Sequence, residues 1–421
     1  MQRILLFVPV VIAIVVALVA LYPEKELPPI KVGILHSLTG TMAISEKPVM
    51  QATLLAVEQI NAKGGLLGRK VEAVVVDGQS DWPTFARQAE YLIVDEKVSV
   101  VFGGWTSASR KTVKPIFEQY NHLLFYPVQY EGLEQSPNII YTGAAPNQQI
   151  IPAVSWALKE FGSRIYLVGS DYVFPRVANW LIAKQVSMLG GSIIGQYYLP
   201  LGSRDVQDII QDIQRLKPDV VMNSINGDSN VALFHALSQA GIQAKDIPVL
   251  SFSMGEAELA HMQADHVSGH YAAWNYFQSI DSQQNHDFVA AYQTRFGADL
   301  PLSDPMQAAW AGVHLWAKAV QAAQSDDHAV VRQTIAHQSI LAPEGVISID
   351  AKTQHTWKTA RIGRIRADGQ FDILWSSEAP LRPSPYPAMV SKQQADEFLQ
   401  QLYDGWDQHW ALPVSMQGDA L

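Results

Sequence analysis

Polar and aromatic residues recur at the ends of five predicted strands, and these residues are the part of the sequence best suited to binding a ligand. Hydroxyl, amide, carboxylate and indole groups can form hydrogen bonds with a small polar molecule. Each such residue alone is more often a helix cap or a packing residue, but their recurrence favours a binding site shared by several strands. The candidates are Trp105, Thr106, Ser107, Tyr126, Gln129, Tyr172, Asn226, Asp228 and Ser253.

The stretch from Ser99 to Arg110 shows this pattern most clearly. An unbroken apolar run at 100–102 predicts a strand buried on both faces, and Gly103 then permits a sharp turn. Thr106 and Ser107 follow at the expected start of a helix, which places them at the carboxyl edge of a parallel sheet, where open α/β folds bind ligands. Helix capping alone would also explain these hydroxyls, and the sequence leaves both interpretations open.

No residue pattern predicts catalysis, a metal site or a cofactor. The stretch 104–108 lacks the spacing of a nucleophile elbow, and the 12 histidines show no zinc-binding spacing. The chain has no cysteine, and its net charge of −10 without a basic cluster argues against a nucleic-acid surface. We therefore expect a protein that is not an enzyme, needs no cofactor or metal and does not bind nucleic acid.

The N-terminal residues 1–22 predict export from the cytoplasm. Ile4 to Tyr22 carries no charge, and as a helix it would span roughly 28 Å, about the thickness of a bilayer core. Either a membrane anchor or a long secretory signal peptide fits, and the bulky Leu18 near the possible cleavage site favours the anchor. In both cases we expect a periplasmic or extracytoplasmic protein that touches the membrane only through this segment.

The order of predicted elements indicates the fold class. Short apolar runs alternate with amphipathic segments over residues 30–150 and again over 151–277, which predicts two doubly wound α/β lobes. Helical residues 278–343 are expected to return to the first lobe, and the β-rich residues 344–378 to the second, which would create a multi-strand hinge. Residues 379–421 form a tail with a predicted helix at 391–409 that docks on a lobe.

Several motifs resemble the type I periplasmic binding proteins of the branched-chain amino-acid class. The general resemblance lies in KVGILHSLTG (Lys31–Gly40) and NAKGGLLG (Asn61–Gly68). Three further motifs are similar to the urea and short-chain-amide branch of that class, and the similarity covers most of residues 30–385. They are FYPVQYEG (Phe125–Gly132), YTGAAPNQ (Tyr141–Gln148) and GSDYVFPR (Gly169–Arg176).

The resemblance implies a two-lobed receptor that closes on a small neutral ligand. Thr106 and Ser107 would meet a urea or amide group from the first lobe, Tyr126 would flank it, and Tyr172 would contact it from the second lobe. Trp105 and Val128 stand where the amide-sensing regulator of this branch has a tyrosine and a threonine, and this difference favours urea or the transport-type relatives. Such a ligand carries N–H donors and one carbonyl, so it requires hydroxyls and neutral acceptors rather than an ion pair.

The implied role is that of the substrate-binding component of an ABC transporter, which would deliver urea or a short-chain amide to a permease. An alternative remains open, because the chain has an apolar N-terminal segment and a tail beyond the shared region. In that alternative, a membrane-anchored protein of the same fold senses the ligand and reports to a sensor kinase or another signalling partner.

Overall fold

The computed structural model describes residues 27–412, so the predicted anchor or signal segment at residues 1–22 lies outside the described residues. Within residues 27–412, no helix is long and apolar enough to cross a membrane. The strands are β1 Ile30–His36, β2 Val71–Asp77, β3 Val101–Gly103, β4 Leu124–Tyr126, β5 Ile139–Tyr141, β6 Arg164–Ser170, β7 Ser192–Leu199, β8 Val220–Ser224, β9 Val249–Ser251, β10 Tyr271–Trp274, β11 Ser339–Ala342, β12 Gly345–Ser348, β13 Arg361–Ile365 and β14 Phe371–Ser376. The helices are α1 Ala43–Ala62, α2 Trp82–Val94, α3 Ser107–Gln119, α4 Ile150–Glu160, α5 Val173–Met188, α6 Gln207–Leu216, α7 Ser229–Gln239, α8 Glu256–Leu259, α9 Ala264–Val267, α10 Gln283–Phe296, α11 Asp304–Ala323, α12 His328–Ile335 and α13 Lys392–Gly405, with a 3-10 turn at Pro146–Gln148.

The first lobe is built on a five-stranded sheet in the order β2-β1-β3-β4-β5. All its neighbouring strands run parallel, so their carboxyl ends meet at one edge. Strand β3 consists of buried residues only, because helices cover both faces of the sheet. This edge carries the first-lobe candidates from Trp105 to Gln129.

The second lobe is built on a seven-stranded sheet in the order β14-β13-β10-β9-β8-β6-β7. Strands β6 to β10 run parallel to one another, whereas β13 and β14 are antiparallel additions beside β10. Two α/β lobes with parallel sheets confirm the predicted fold class. The second-lobe candidates follow β6, β8 and β9 at the carboxyl edge of this sheet.

The chain returns to the first lobe after residue 277. Helix α11 packs on α1, and its Trp316 lies edge-on to Phe102 of β3, with ring centroids 5.9 Å apart. Strand β12 pairs antiparallel with β11, and Ile347 joins the apolar core beneath the first sheet. The assignment of residues 344–378 to the second lobe is therefore corrected for β12, which stays with the first lobe because this pairing buries Ile347. Strands β13 and β14 do join the second sheet.

The tail contacts both lobes. Helix α13 lies on α5 of the second lobe, where Phe398 stacks on Trp180 with centroids 4.6 Å apart. Beyond this helix, the backbone N–H of Val173 donates to the carbonyl of Trp410 at 3.0 Å. The ammonium of Lys111, on α3 of the first lobe, sits 4.7 Å from the centre of the Trp410 ring. The tail thus spans the junction between the lobes instead of docking on one of them.

Candidate functional site

A glycine turn after β3 sets the position of the first-lobe candidates. Gly103 has φ of +157°, and a Cβ at this position would lie 2.0 Å from the carbonyl oxygen of Leu35. The next residue, Gly104, donates its N–H to that same carbonyl at 2.9 Å. The chain therefore crosses tightly over the end of β1, and this close approach requires a residue without a side chain. Trp105, Thr106 and Ser107 are held against the sheet edge as a result.

Thr106 and Ser107 have different roles at the start of α3. Thr106 is the N-cap, and its hydroxyl accepts the N–H of Ser109 at 3.1 Å. Ser107 is the first helical residue, and its hydroxyl donates to Glu131 while accepting from Arg110 at 3.0 Å. The capping interpretation therefore describes Thr106, whereas Ser107 belongs to a buried polar cluster.

That cluster consists of four charged residues and places fixed charges behind the site. Arg110 bonds to Glu131 at 3.0 Å and to Glu134 at 2.8 Å, and Lys111 bonds to Glu134 at 2.8 Å. Burial would raise the pKa of the Glu134 carboxyl, but Arg110 and Lys111 outweigh it and hold that pKa below its usual range. Burial opposes the charge on Arg110, yet its two carboxylate partners raise its pKa well above normal. Both signs of charge are thus present and compensated.

Tyr126 and Ser107 share a property that decides what they can offer a ligand. The phenol of Tyr126 donates its hydrogen to the carbonyl of Trp105, and burial raises its pKa, so it keeps that proton. The Ser107 hydroxyl likewise donates its hydrogen to Glu131. The Ser107 oxygen also accepts from Arg110, which leaves it one lone pair, and Arg110 and Ser107 both lie within hydrogen-bonding reach of the Tyr126 oxygen. Neither hydroxyl has a hydrogen left to give, so towards a ligand these two residues can act only as acceptors.

Hydrogen bonds between the lobes show that they are closed on one another. The indole N–H of Trp105 donates to the side-chain oxygen of Asn226 at 3.2 Å. The Gln129 amide donates to the carbonyl of Phe252 at 2.9 Å and to the hydroxyl of Ser253 at 3.2 Å. These contacts join the ends of β3 and β4 to the ends of β8 and β9.

Asp228 lies at the rim of the junction and is partly exposed. It accepts a hydrogen bond from Thr41 of the first lobe, and Arg204 approaches its other oxygen at 3.5 Å. Asp228 is thus a contact between the lobes rather than part of the enclosed site.

Tyr172 lies at the second-lobe side of the same junction. It precedes α5, and its side chain is buried in one apolar cluster with Ala108 of α3, so the starts of α3 and α5 face each other. Burial raises the pKa of its phenol well above normal, with smaller contributions from Tyr126 and Glu131. Tyr172 therefore keeps its proton, which makes its O–H a donor beside the first-lobe acceptors.

His36 at the end of β1 and Glu46 in the first turn of α1 form a buried pair near the junction that the sequence did not predict. Glu46 accepts the backbone N–H of Ser37 at 2.8 Å and pairs with Nδ1 of His36 at 3.1 Å, and both side chains are fully buried. The spacing in the sequence could have identified Glu46 as a buried residue. It precedes Val49 by three residues and so lies on the apolar face of the predicted helix. A carboxylate on such a face usually has a specific partner.

The cations near the site are ion-paired. Arg110 and Lys111 bind the two glutamates of the buried cluster, and Arg176 binds Asp171 at 2.8 Å. Within residues 27–412, no group of three or more histidine, aspartate or glutamate side chains could hold a metal ion. Each of these three cations thus already has a carboxylate partner.

Comparison with known proteins shows which protein family the chain resembles. The family model described as a periplasmic binding protein domain matches residues 30–392. The chain is 24% identical over 335 residues to the Leu/Ile/Val-binding protein homolog 6 of Brucella melitensis, which covers 77% of this chain and 85% of that protein. A solute-binding protein of an ABC transporter from Rhodopseudomonas palustris BisB5, solved with 3,4-dihydroxybenzoic acid, superposes with a TM-score of 0.77 at 23% identity, covering 85% of this chain and 99% of that one.

A shorter match relates part of the chain to a protein that is named as an enzyme. Over 158 residues it is 30% identical to a limonene hydroxylase of Geobacillus stearothermophilus. The match covers 38% of this chain and only 27% of that protein, so the chain spans about a quarter of the length of this relative.

Proposed function

This chain belongs to the periplasmic binding protein family, and we propose that it binds urea or a short-chain amide outside the cytoplasm as the substrate-binding component of an ABC transporter. The family is one of binding proteins rather than enzymes. The observation that carries the proposed ligand is the direction of the hydrogen bonds at the lobe junction.

The first-lobe hydroxyls favour a ligand with N–H donors. Ser107 and Tyr126 have both given their hydrogens to protein acceptors, so towards a ligand they can only accept. The amide oxygen of Gln129 is also buried without a hydrogen-bond partner among the described residues. Urea has four N–H hydrogens and a primary amide has two, which suits a surface made of acceptors.

The second-lobe side supplies a donor for the remaining group of such a ligand. The Tyr172 phenol is buried, and because burial raises its pKa it keeps its proton. Such an O–H group can donate to a carbonyl oxygen. A ligand with N–H groups at one end and a carbonyl at the other would bond to both lobes at once.

Charge argues against a carboxylate ligand. The Rhodopseudomonas protein was solved with a benzoic acid derivative, and the Brucella relative is named for amino acids. In this chain Arg110 and Lys111 are both ion-paired with buried glutamates, and Glu131 stands next to Ser107. A ligand carboxylate would be buried without a cation of its own, because Arg110 and Lys111 already have carboxylate partners.

Isothermal titration calorimetry with the full-length protein tests this function. We expect binding of urea, formamide or acetamide, and no binding of leucine or benzoate. At 100 times its Kd, the ligand should also add about 2.7 kcal/mol to the stability of the protein. Tight binding of leucine or benzoate with no heat from urea or any amide would show that the proposed ligand class is wrong.

A further inference from the structure

Glu46 has one buried oxygen that the protein does not use. Its Oε2 accepts from Ser37 and pairs with His36, but its Oε1 has no hydrogen-bond partner among residues 27–412. The Nε2 of His36 is also buried and without a partner. An unpaired carboxylate oxygen in the interior costs free energy, so such an atom is expected to meet a donor in the functional state.

Glu46 and His36 stand at the same sheet edge as the proposed ligand site. His36 is the last residue of β1, and β1 pairs with β3 so that Leu35 is opposite Gly103, two residues before Trp105. Helix α1 packs against α8 of the second lobe, and Ser45, the neighbour of Glu46, lies close to Glu258 of that helix. The first turn of α1 is therefore part of the lobe junction.

Glu46 also faces the second-lobe side of the site. Its carboxylate is near enough to Tyr172 to contribute to the raised pKa of that phenol, after the larger effects of burial, Tyr126 and Glu131. Tyr172 is the donor proposed for the ligand carbonyl. Glu46 is therefore close to the residue proposed to bind the carbonyl of the ligand.

We propose that the free oxygen of Glu46 accepts a hydrogen bond from the N–H₂ group of the ligand, and that Glu46 thereby selects amides over the corresponding carboxylic acids. This inference rests on the proposed function and names the residue that sets its specificity. A carboxylate accepts N–H hydrogens well, since hydrogen bonds to charged groups are stronger than neutral ones. It repels a ligand whose N–H₂ group is replaced by a second carboxylate oxygen. Acetamide and acetate differ in this way and have nearly the same shape.

The substitution Glu46→Gln changes this one property. A glutamine can keep its oxygen towards the N–H of Ser37, and its N–H₂ then replaces the free carboxylate oxygen. We expect the Kd for acetamide and for urea to rise at least about 10-fold. We also expect the preference for acetamide over acetate to shrink, because the position changes from a charged acceptor to a neutral donor.

The matched control is Glu58→Gln, the same chemical change on the same helix. Glu58 is exposed, and its carboxylate pairs with Arg295 at the surface. Calorimetric titrations of acetamide, acetate and urea should give the same affinities for this variant as for the parent. Circular dichroism and melting of both variants without ligand show whether each is folded.

The outcomes separate this inference from the proposed function. A folded Glu46→Gln variant that binds acetamide within about twofold of the parent, with the same preference over acetate, would overturn the role of Glu46 alone. A parent protein that binds neither urea nor any amide would overturn the proposed function, and the selectivity with it. If Glu46→Gln does not fold, Glu46→Asp keeps the charge and should still reject acetate, and equal binding of acetate and acetamide by that variant or the parent would contradict the inference.

Discussion

Replacing Ser107 by alanine should affect stability and binding to different extents, and the structure allows both to be estimated. In the protein without ligand, the change removes a hydrogen bond to Glu131 and one from Arg110. Hydrogen bonds to charged groups contribute about 1.5–3 kcal/mol, and water cannot replace the hydroxyl where both partners are fully buried. Because Glu131 keeps Arg110, we expect a loss of about 2 kcal/mol in the free energy of unfolding. Ligand binding should weaken by about a further 1 kcal/mol, the value of a neutral acceptor.

Calorimetric melting is the appropriate assay for Ser107→Ala. Urea and guanidinium are both rich in N–H donors, so as denaturants they would also act as potential ligands. Thr106→Ala is the reference variant for the size of the stability loss, since loss of an N-cap costs about 1 kcal/mol of unfolding free energy. A double-mutant cycle with Glu131→Gln should give a coupling energy of about 1 kcal/mol or more. Melting of Ser107→Ala at the temperature of the parent, or strict additivity with Glu131→Gln, would refute the bonded cluster described here.

Three further changes probe other parts of the molecule. Burial raises the pKa of Glu256 to about 8, so the folded protein retains a proton that the unfolded chain, with its usual value of 4.5, releases. Stability should therefore fall as pH rises from 4.5 to 8, and Glu256→Gln should remove a dependence on the order of a few kcal/mol, measured by melting at pH 5 and 8. Trp105→Phe removes the bond to Asn226 between the lobes, and should weaken ligand binding several-fold in calorimetry. Trp410→Ala removes the contact with Lys111 and should speed proteolysis of the tail.

Each of these changes has a control that the chain itself provides. Glu58→Gln makes the same chemical change as Glu256→Gln at an exposed position and is the control for it. Trp316→Phe is the control for Trp105, because its buried indole N–H has no hydrogen-bond partner among the described residues. Equal ligand affinities of Trp105→Phe and Trp316→Phe would contradict a role in closure. Unchanged proteolysis of Trp410→Ala would show that α13 holds the tail without Trp410.

The sequence predicted the elements that carry the site because local patterns determine them. The apolar run of β3, the glycines after it and the hydroxyls before α3 are all adjacent in the chain. The carboxyl ends of parallel strands must lie at one sheet edge, so the junction of β3, β4, β8 and β9 also followed from their order. The exception was β12, where a pairing with its immediate neighbour β11 prevailed over the expected return to the second lobe.

The direction of the hydrogen bonds could not be predicted in this way. Ser107 and Thr106 are consecutive hydroxyl residues at one helix start, yet one bonds to Glu131 and the other caps the helix. Their difference depends on a loop 24 residues further along the chain, which delivers the carboxylate. Glu46 was missed for the same reason, since its partners and its unused oxygen are defined only when β1 and α1 are packed together. Tertiary contacts decide such roles, and one sequence does not specify them residue by residue.

The proposed division of donors and acceptors between the lobes would give a physical reason for ligand-dependent closure. In the proposed site, Ser107, Tyr126 and Glu46 would offer acceptors from the first lobe, and Tyr172 would offer a donor from the second. A ligand with both functions is fully satisfied only when the lobes meet around it, so its affinity is higher for the closed state. The bond from Trp105 to Asn226 is neutral and worth about 1 kcal/mol, so by itself it shifts the balance between open and closed lobes only modestly. A ligand that bonds to both lobes would supply most of the free energy that favours the closed state. A ligand with acceptors only would form no hydrogen bonds with the first lobe on closure.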